Sequence, residues 1–429
     1  MDVYKEWNFK ENPFQTTSLP PLDIGKQLLA GRDHEIRRLL VRLYNQPQIV
    51  TVEGLNGVGK TSLINVSIFN ALERYMNDKQ NQPLFIPCAR AFQLDKEANA
   101  EEFLDEVLIE IAQTFIRHAE DLEKLGITMP ANLNEVNKWL NSSVIDSYQA
   151  TIGGFGFGKT VEANVSTGFE KSGFRRIIRS WLEQIFPKPN SGGIVCIIDN
   201  LELLEQSGAA RRAIESLRDT LFAFPGIRWV LCGSLGIITS LVASPRLEGM
   251  LHDPIEVKGV ELKFLRDIFE KRMIAYRQNN DYYVPLCSRS FSRLYQILDH
   301  NIRNTLKYSN DYCLWVFDRG TEPKSIEEKE ELFAAWLKEK SADSYASIRR
   351  FVKTASLDVF KMAIDYGGIF SLTDYEYFDF DTSASFKTCI NDLEASGLLI
   401  SVIDDSDKRR KSIQVTPKGW FVSHALATT

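Results

Sequence analysis

The sequence of 429 residues predicts an α/β protein: a parallel-sheet core at residues 1–258, a helical lid at 259–318, a linker or connecting helix at 319–345 and a winged helix at 346–429. Three observations lead there. Short apolar runs alternate with amphipathic stretches in the first part, the pattern of a parallel sheet with helices on both faces. The strand pattern then stops and the text becomes helical. The last segment pairs three helical stretches, at 357–366, 372–378 and 384–396, with two strand-like runs, at 398–403 and 412–416.

Composition narrows the class. Hydrophobic residues make up 44%, enough for two or three cores and too many for a disordered chain. Acidic side chains number 57 against 51 basic ones, a net charge of -6, so any nucleic-acid contact has to be local. The six cysteines, Cys88, Cys196, Cys232, Cys287, Cys313 and Cys389, stand singly without zinc spacing. The N-terminus is polar, and no apolar run approaches the roughly 20 residues of a membrane span. A soluble, cytoplasmic protein is expected.

The expected strands are residues 48–53, 84–88, 194–199, 228–232 and 254–257. Between them, Leu104, Val107, Leu108, Ile111 and Phe115, and Phe174, Ile178, Trp181 and Leu182, recur at helical spacing and mark core faces. In the lid, Leu262, Leu265, Phe269 and Met273 mark one such face. The charged stretch 319–331 reads as a connector.

Residues 54–61 read GLNGVGKT, between the β-rich run IVTVE and an amphipathic stretch at 62–75. This is a P-loop in its required context: glycines free consecutive backbone N–H groups to surround phosphates at a helix N-terminus, a lysine reaches the outer phosphates, and a hydroxyl holds magnesium. Gly54, Asn56, Gly57, Gly59, Lys60, Thr61 and Ser62 are therefore the expected cofactor site for ATP and Mg2+. A second match, GGFGFGKT at 153–160, precedes VEANVSTGF, which alternates like a strand. Residues 152–165 read as a glycine-rich hairpin inserted in the core, the alternative being a loop that touches DNA or a neighbouring subunit.

Such a site needs an acid at the end of a buried strand to hold the metal, and Asp199 fills that place. Asn200 follows it and cannot act as a base. Glu202 is the remaining carboxylate to polarise water, so slow hydrolysis is expected. Ser234 ends the next strand where a polar side chain could sense the γ-phosphate, and Arg246 precedes the fifth strand where it could reach a neighbour's nucleotide or form a surface ion pair.

At this point the chain resembles the AAA+ ATPases of the origin-recognition and cell-division-control initiator type, and more loosely the STAND signalling ATPases. The resemblance covers nearly the whole chain and rests on LLAGRDHEIRRL at 28–39, the IIDNLE run, Ser234, Arg246 and HNIRNTLKY at 300–308. It implies that Gly31 and Arg32 line the adenine pocket and that Arg303 reads the γ-phosphate. Asn200 in place of an acid, and an insert around 118–180, depart from the family pattern.

In the winged helix, Ser385, Lys387, Thr388 and Asn391 share the candidate recognition helix, and Lys408, Arg409, Arg410 and Lys411 share the wing. Residues 346–429 nevertheless hold 10 Lys and Arg against 11 Asp and Glu, with DYEYFDFD just before that helix. Double-stranded DNA and a protein partner both stay open. The expected function is a slowly hydrolysing ATP switch that forms a homo-oligomer when ATP-bound; the alternatives are a STAND-like signalling ATPase and a DNA-binding regulator without turnover.

Overall fold

In the computed structural model, which describes residues 2–45, 48–94, 99–140, 171–204, 207–404 and 410–428, five strands form one parallel sheet. They are β1 (Val50–Glu53), β2 (Leu84–Pro87), β3 (Gly192–Ile198), β4 (Ile227–Gly233) and β5 (Ile255–Glu256), in the order β2-β3-β4-β1-β5. β1 and β3 are buried along their whole length, as apolar strands covered on both faces must be. Alternation divides them: Ile194, Cys196 and Ile198 enter one core while Val195 and Ile197 join Val50 and Val52 in the other. β4 lies between β1 and β3, pairing Glu53 with Gly233 and Leu231 with Ile198. The ends of these three neighbouring strands therefore open on one crevice, where ligands of parallel sheets sit.

The stretch read as an insert begins inside the core. Helices Ala119–Lys124, Leu133–Leu140 and Lys171–Ile185 put Leu122, Val136, Leu140, Phe174 and Ile178 into the same cluster as Val107 and Phe115 of helix Ala100–Arg117. The expected hairpin, with the second motif match at Gly153–160, lies outside the described residues.

The lid consists of helices Leu265–Tyr276, Ser288–Ile297 and Ile302–Asp318. Tyr4, Trp7, Phe9 and Phe14 pack into its core with Phe269, Phe291, Tyr295 and Tyr312. Residues 3–14, placed by sequence order with the sheet, thus pack against the lid. They are held there by bonds such as Tyr4 Oη to Asn310 Oδ1 at 2.8 Å and Lys10 N to Tyr276 O at 2.8 Å.

Within and just beyond the stretch read as a linker or connecting helix lies a 23-residue helix, Ile326–Ile348, started by a Ser325/Glu328 capping box. Phe333, Trp336 and Leu337 lie in the lid core and Ile348 in the winged-helix core. The winged helix has helices Thr354–Asp365 and Ser383–Ala395 and the antiparallel strands β6 (Ile369–Ser371), β7 (Leu399–Asp404) and β8 (Arg410–Val415), ordered β6-β8-β7. The helix expected at 372–378 shrinks to the single 3-10 turn Leu372–Asp374, because Phe378 turns inward against Phe370 and Phe386. A final helix, Pro417–Thr428, which the sequence reading did not anticipate, lies along Ile326–Ile348. Its Phe421 meets Tyr308 at 4.8 Å between ring centroids, edge to face. Among the described residues, no helix is long and apolar enough to cross a membrane.

Phe421→Ala is expected to destabilise the protein by about 3–5 kcal/mol, measured by denaturant unfolding. The lid and winged-helix signals should be lost in a shared transition, because the removed ring belongs to the joint between them.

Candidate functional site

Helix Lys60–Asn77 starts at Gly59, whose φ of 98° is left-handed, and no side chain caps it. Its first amides have no intrahelical partner and face the crevice with the positive end of the helix dipole. Above them sits Lys60, buried, with Nζ donating to Gly54 O at 2.8 Å and Leu55 O at 3.2 Å. Thr61 Oγ1 donates to Asp199 Oδ2 at 2.6 Å. The helix start and the end of β3 are thereby joined through one hydroxyl and one carboxylate, both hard oxygen donors that suit a magnesium ion. Asp199 Oδ1 accepts from Asn200 N at 2.8 Å, and Asn200 takes a left-handed φ of 56°, a conformation asparagine tolerates.

The carbonyls of the P-loop face outward, and each has a donor. Lys60 takes Gly54 O and Leu55 O. From the lid, Asn301 Nδ2 donates to Asn56 O at 2.7 Å and Arg303 N to Gly57 O at 3.1 Å. Arg32 Nη2 donates to Val58 O at 2.9 Å and also to Lys258 O at 2.7 Å, while its Nη1 meets Glu35 Oε1 at 3.1 Å. Gly57 has φ 85°, and a Cβ there would stand 2.5 Å from Asn301 Oδ1, so glycine is what lets the lid come this close.

Asn56, Gly57, Gly59, Lys60, Thr61, Ser62, Asp199, Arg32 and Arg303 all line one pocket. Gly54 supports it from below against Val257 O, and Gly31 supports it in a left-handed turn against the Phe264 ring; neither is a lining residue. Ser62 lines the pocket while its Oγ accepts from Leu19 N at 3.0 Å. Glu202 and Ser234 are joined to each other, the carboxylate accepting from Ser234 N at 3.1 Å, and do not line the pocket. Arg246 is exposed on the surface, 3.8 Å from Glu215 Oε2, away from its own pocket.

The sequence reading missed the opposite wall. Residues 16–19 and 28–30, with Val260 and Ile268, close the pocket on the side away from the phosphate loop. Arg272 belongs to this wall. Buried at 6% exposure, it donates to Pro13 O at 2.9 Å and Gln15 O at 3.3 Å. Burial lowers its pKa to about 10, which leaves it charged at neutral pH. A cation at helical spacing from Leu265 and Phe269, inside an apolar stripe, was the available signal.

In the winged helix, Ser385, Lys387, Thr388 and Asn391 lie on the exposed face of Ser383–Ala395. Glu376, Asp379 and Asp381 are exposed just before it. Lys408 and Arg409 lie outside the described residues, and Arg410 and Lys411 open β8.

Sheet order, P-loop and lid define a P-loop NTPase fold with a helical lid and a C-terminal winged helix. No protein-family model matches the chain, and no curated protein matches it. Among solved structures it is similar to the ORC1 protein of Aeropyrum pernix in complex with DNA, at 15% identity and TM-score 0.45 over 95% of this chain and 94% of that one. It is likewise similar to the ORC2 protein of Aeropyrum pernix in ADPNP–ADP complexes, at 12% identity and TM-score 0.45 over 98% and 99%. A third is Cdc6p of Pyrobaculum aerophilum, at 13% identity and TM-score 0.36 over 97% and 98%. What this chain does is argued below from its own contacts.

Arg32→Ala leaves two carbonyls and Glu35 without their donor, and a loss of about 2–4 kcal/mol is expected, read by thermal unfolding without nucleotide. Arg32→Lys should recover only part of it, because a single ammonium cannot span three acceptors in a planar fork.

Proposed function

We propose that the protein is an ATP-dependent switch that binds ATP with magnesium between the sheet and the lid and hydrolyses it slowly. The observation that carries this reading is the Thr61–Asp199 hydrogen bond of 2.6 Å beside buried Lys60, with lid residue Arg303 lining the same pocket. Thr61 and Asp199 would hold the metal, which when bound neutralises charge on the phosphate oxygens. Lys60 and lid residue Arg303 would place positive charge beside the outer phosphates. Slow turnover follows from Asn200 beside Asp199 and from Glu202 being engaged by the Ser234 amide. Arg246 is exposed and lies 3.8 Å from Glu215 Oε2, a surface ion pair that it would exchange for the nucleotide of a second copy in an ATP-state homo-oligomer.

The partner is engaged through the winged helix. Exposed Ser385, Lys387, Thr388 and Asn391, with the basic wing, favour duplex DNA. The exposed acids Glu376, Asp379 and Asp381 beside the same helix favour a protein surface as the second reading, because they would repel phosphates facing them.

Lys60→Ala is expected to weaken ATP affinity by about 10–100-fold in a titration calorimeter and to remove any ATP-dependent change in molecular size. Equal binding by the variant would refute the site. For the partner, DNA binding measured against salt should lose about one unit of log–log slope on Lys387→Ala if that lysine meets a phosphate; no binding to duplex DNA at low salt would leave the protein reading standing.

A further inference from the structure

Two lid atoms, Asn301 Nδ2 and Arg303 N, occupy the two carbonyls at the apex of the P-loop, Asn56 O at 2.7 Å and Gly57 O at 3.1 Å. A loop of this kind turns its amides toward phosphate and its carbonyls away. Whatever holds the carbonyl face therefore holds the amide face in its binding shape, from behind and without touching the ligand.

Arg303 contributes a backbone amide, which any residue except proline would supply. Asn301 is different, because its side chain does two things at once. Its Oδ1 accepts from Asn304 N at 3.1 Å and caps helix Ile302–Asp318, and its Nδ2 crosses to the loop. A side-chain amide does both from two separate atoms, whereas a carboxylate of the same reach offers acceptors only and the hydroxyl of serine ends one bond short of Nδ2.

The turn that delivers Asn301 is itself constrained. Asp299 and His300 have φ values of 51° and 58°, two consecutive left-handed residues that are not glycine. Such a turn persists only where its surroundings fix it. His300 stacks on Tyr295 with ring centroids 5.3 Å apart, His300 N donates to Tyr295 O at 3.0 Å, and Tyr295 Oη donates to Val260 O at 2.9 Å. Gly259 leaves room for the turn, since a Cβ there would stand 2.7 Å from His300 Cβ.

We propose that Asn301 is a positioning residue that latches the lid to the back of the P-loop and couples ATP binding to lid closure. This rests on the reading of the pocket as an ATP site. ATP orders the loop, the ordered loop presents Asn56 O to the lid, and by reciprocity the docked lid raises the fraction of molecules whose loop is ready for phosphate.

The test separates the latch from the cap. Asn301→Ser keeps an oxygen for Asn304 N but ends one bond short, which takes its hydroxyl out of reach of Asn56 O, while Asn301→Ala removes both groups. Titration with Mg–ATP and melting without nucleotide are measured on the full chain, with Lys60→Ala alongside. The latch is supported if Asn301→Ser melts close to the parent yet binds ATP about 3–10-fold more weakly, and if Asn301→Ala binds ATP as weakly as the serine variant but melts lower. Parent-like ATP affinity in Asn301→Ser overturns it and leaves Asn301 a helix cap only. If the parent itself binds no ATP, or binds it no better than Lys60→Ala, the reading of the pocket fails and takes the latch with it, a result distinct from the serine outcome.

Discussion

The architecture depends on how the carbonyls of residues 54–58 are held. Gly54 and Val58 are buried, where an unpaired carbonyl is costly, while Leu55, Asn56 and Gly57 stand nearer solvent, where a donor chiefly fixes orientation. These carbonyls are taken by three separate parts of the chain: Lys60 from the loop's own helix, Arg32 from the segment before the sheet, and Asn301 and Arg303 from the lid. No single helix or strand fixes this loop. Its shape is set only when the N-terminal segment, the sheet and the lid are assembled around it, so a ligand that prefers that shape also favours that assembly.

From the lid, the connection to the winged helix is continuous packing. Helix Ile302–Asp318 carries Tyr308, whose ring meets Phe421 of the final helix, and Phe421 also lies 6.3 Å from Trp336 of helix Ile326–Ile348. That helix has its first half in the lid core and its end in the winged-helix core. Lid and winged helix are thus joined by helices whose side chains enter both packed cores. The N-terminal residues 12–19 complete the frame, tied to the P-loop helix through Ser62 and Asn65 and to the lid through Arg272.

The features that the sequence made legible are those whose determinants are contiguous. The P-loop, its flanking strand and helix, and Asp199 at a strand end are each specified within a few residues, as are the buried strands. What pairs with the loop is specified elsewhere: Asn301 meets Asn56 across a separation of 245 residues, and no local pattern marks it. Tyr4, Trp7, Phe9 and Phe14 follow neither a helical nor a strand period, so their place in the lid core was invisible. A connecting helix was expected at 319–345, but its charged exterior hid how deeply Phe333, Trp336 and Leu337, at helical spacing, enter the lid core. The last helix buries Phe421 toward the lid and Val422 toward the winged helix, and a helix covered on two sides loses the one-sided stripe that would announce it. Glu202 illustrates the converse: its spacing from Asp199 fits a base, and only the fold reveals that Ser234 N engages its carboxylate.

The central claim is that the phosphate loop and the lid respond to ATP as one unit. Hydrogen exchange of the full chain with and without saturating Mg–ATP tests it most directly. The account requires slower exchange at residues 54–62, 12–19 and 299–306 together. Protection confined to 54–62, with the lid exchanging as it does without nucleotide, would contradict it.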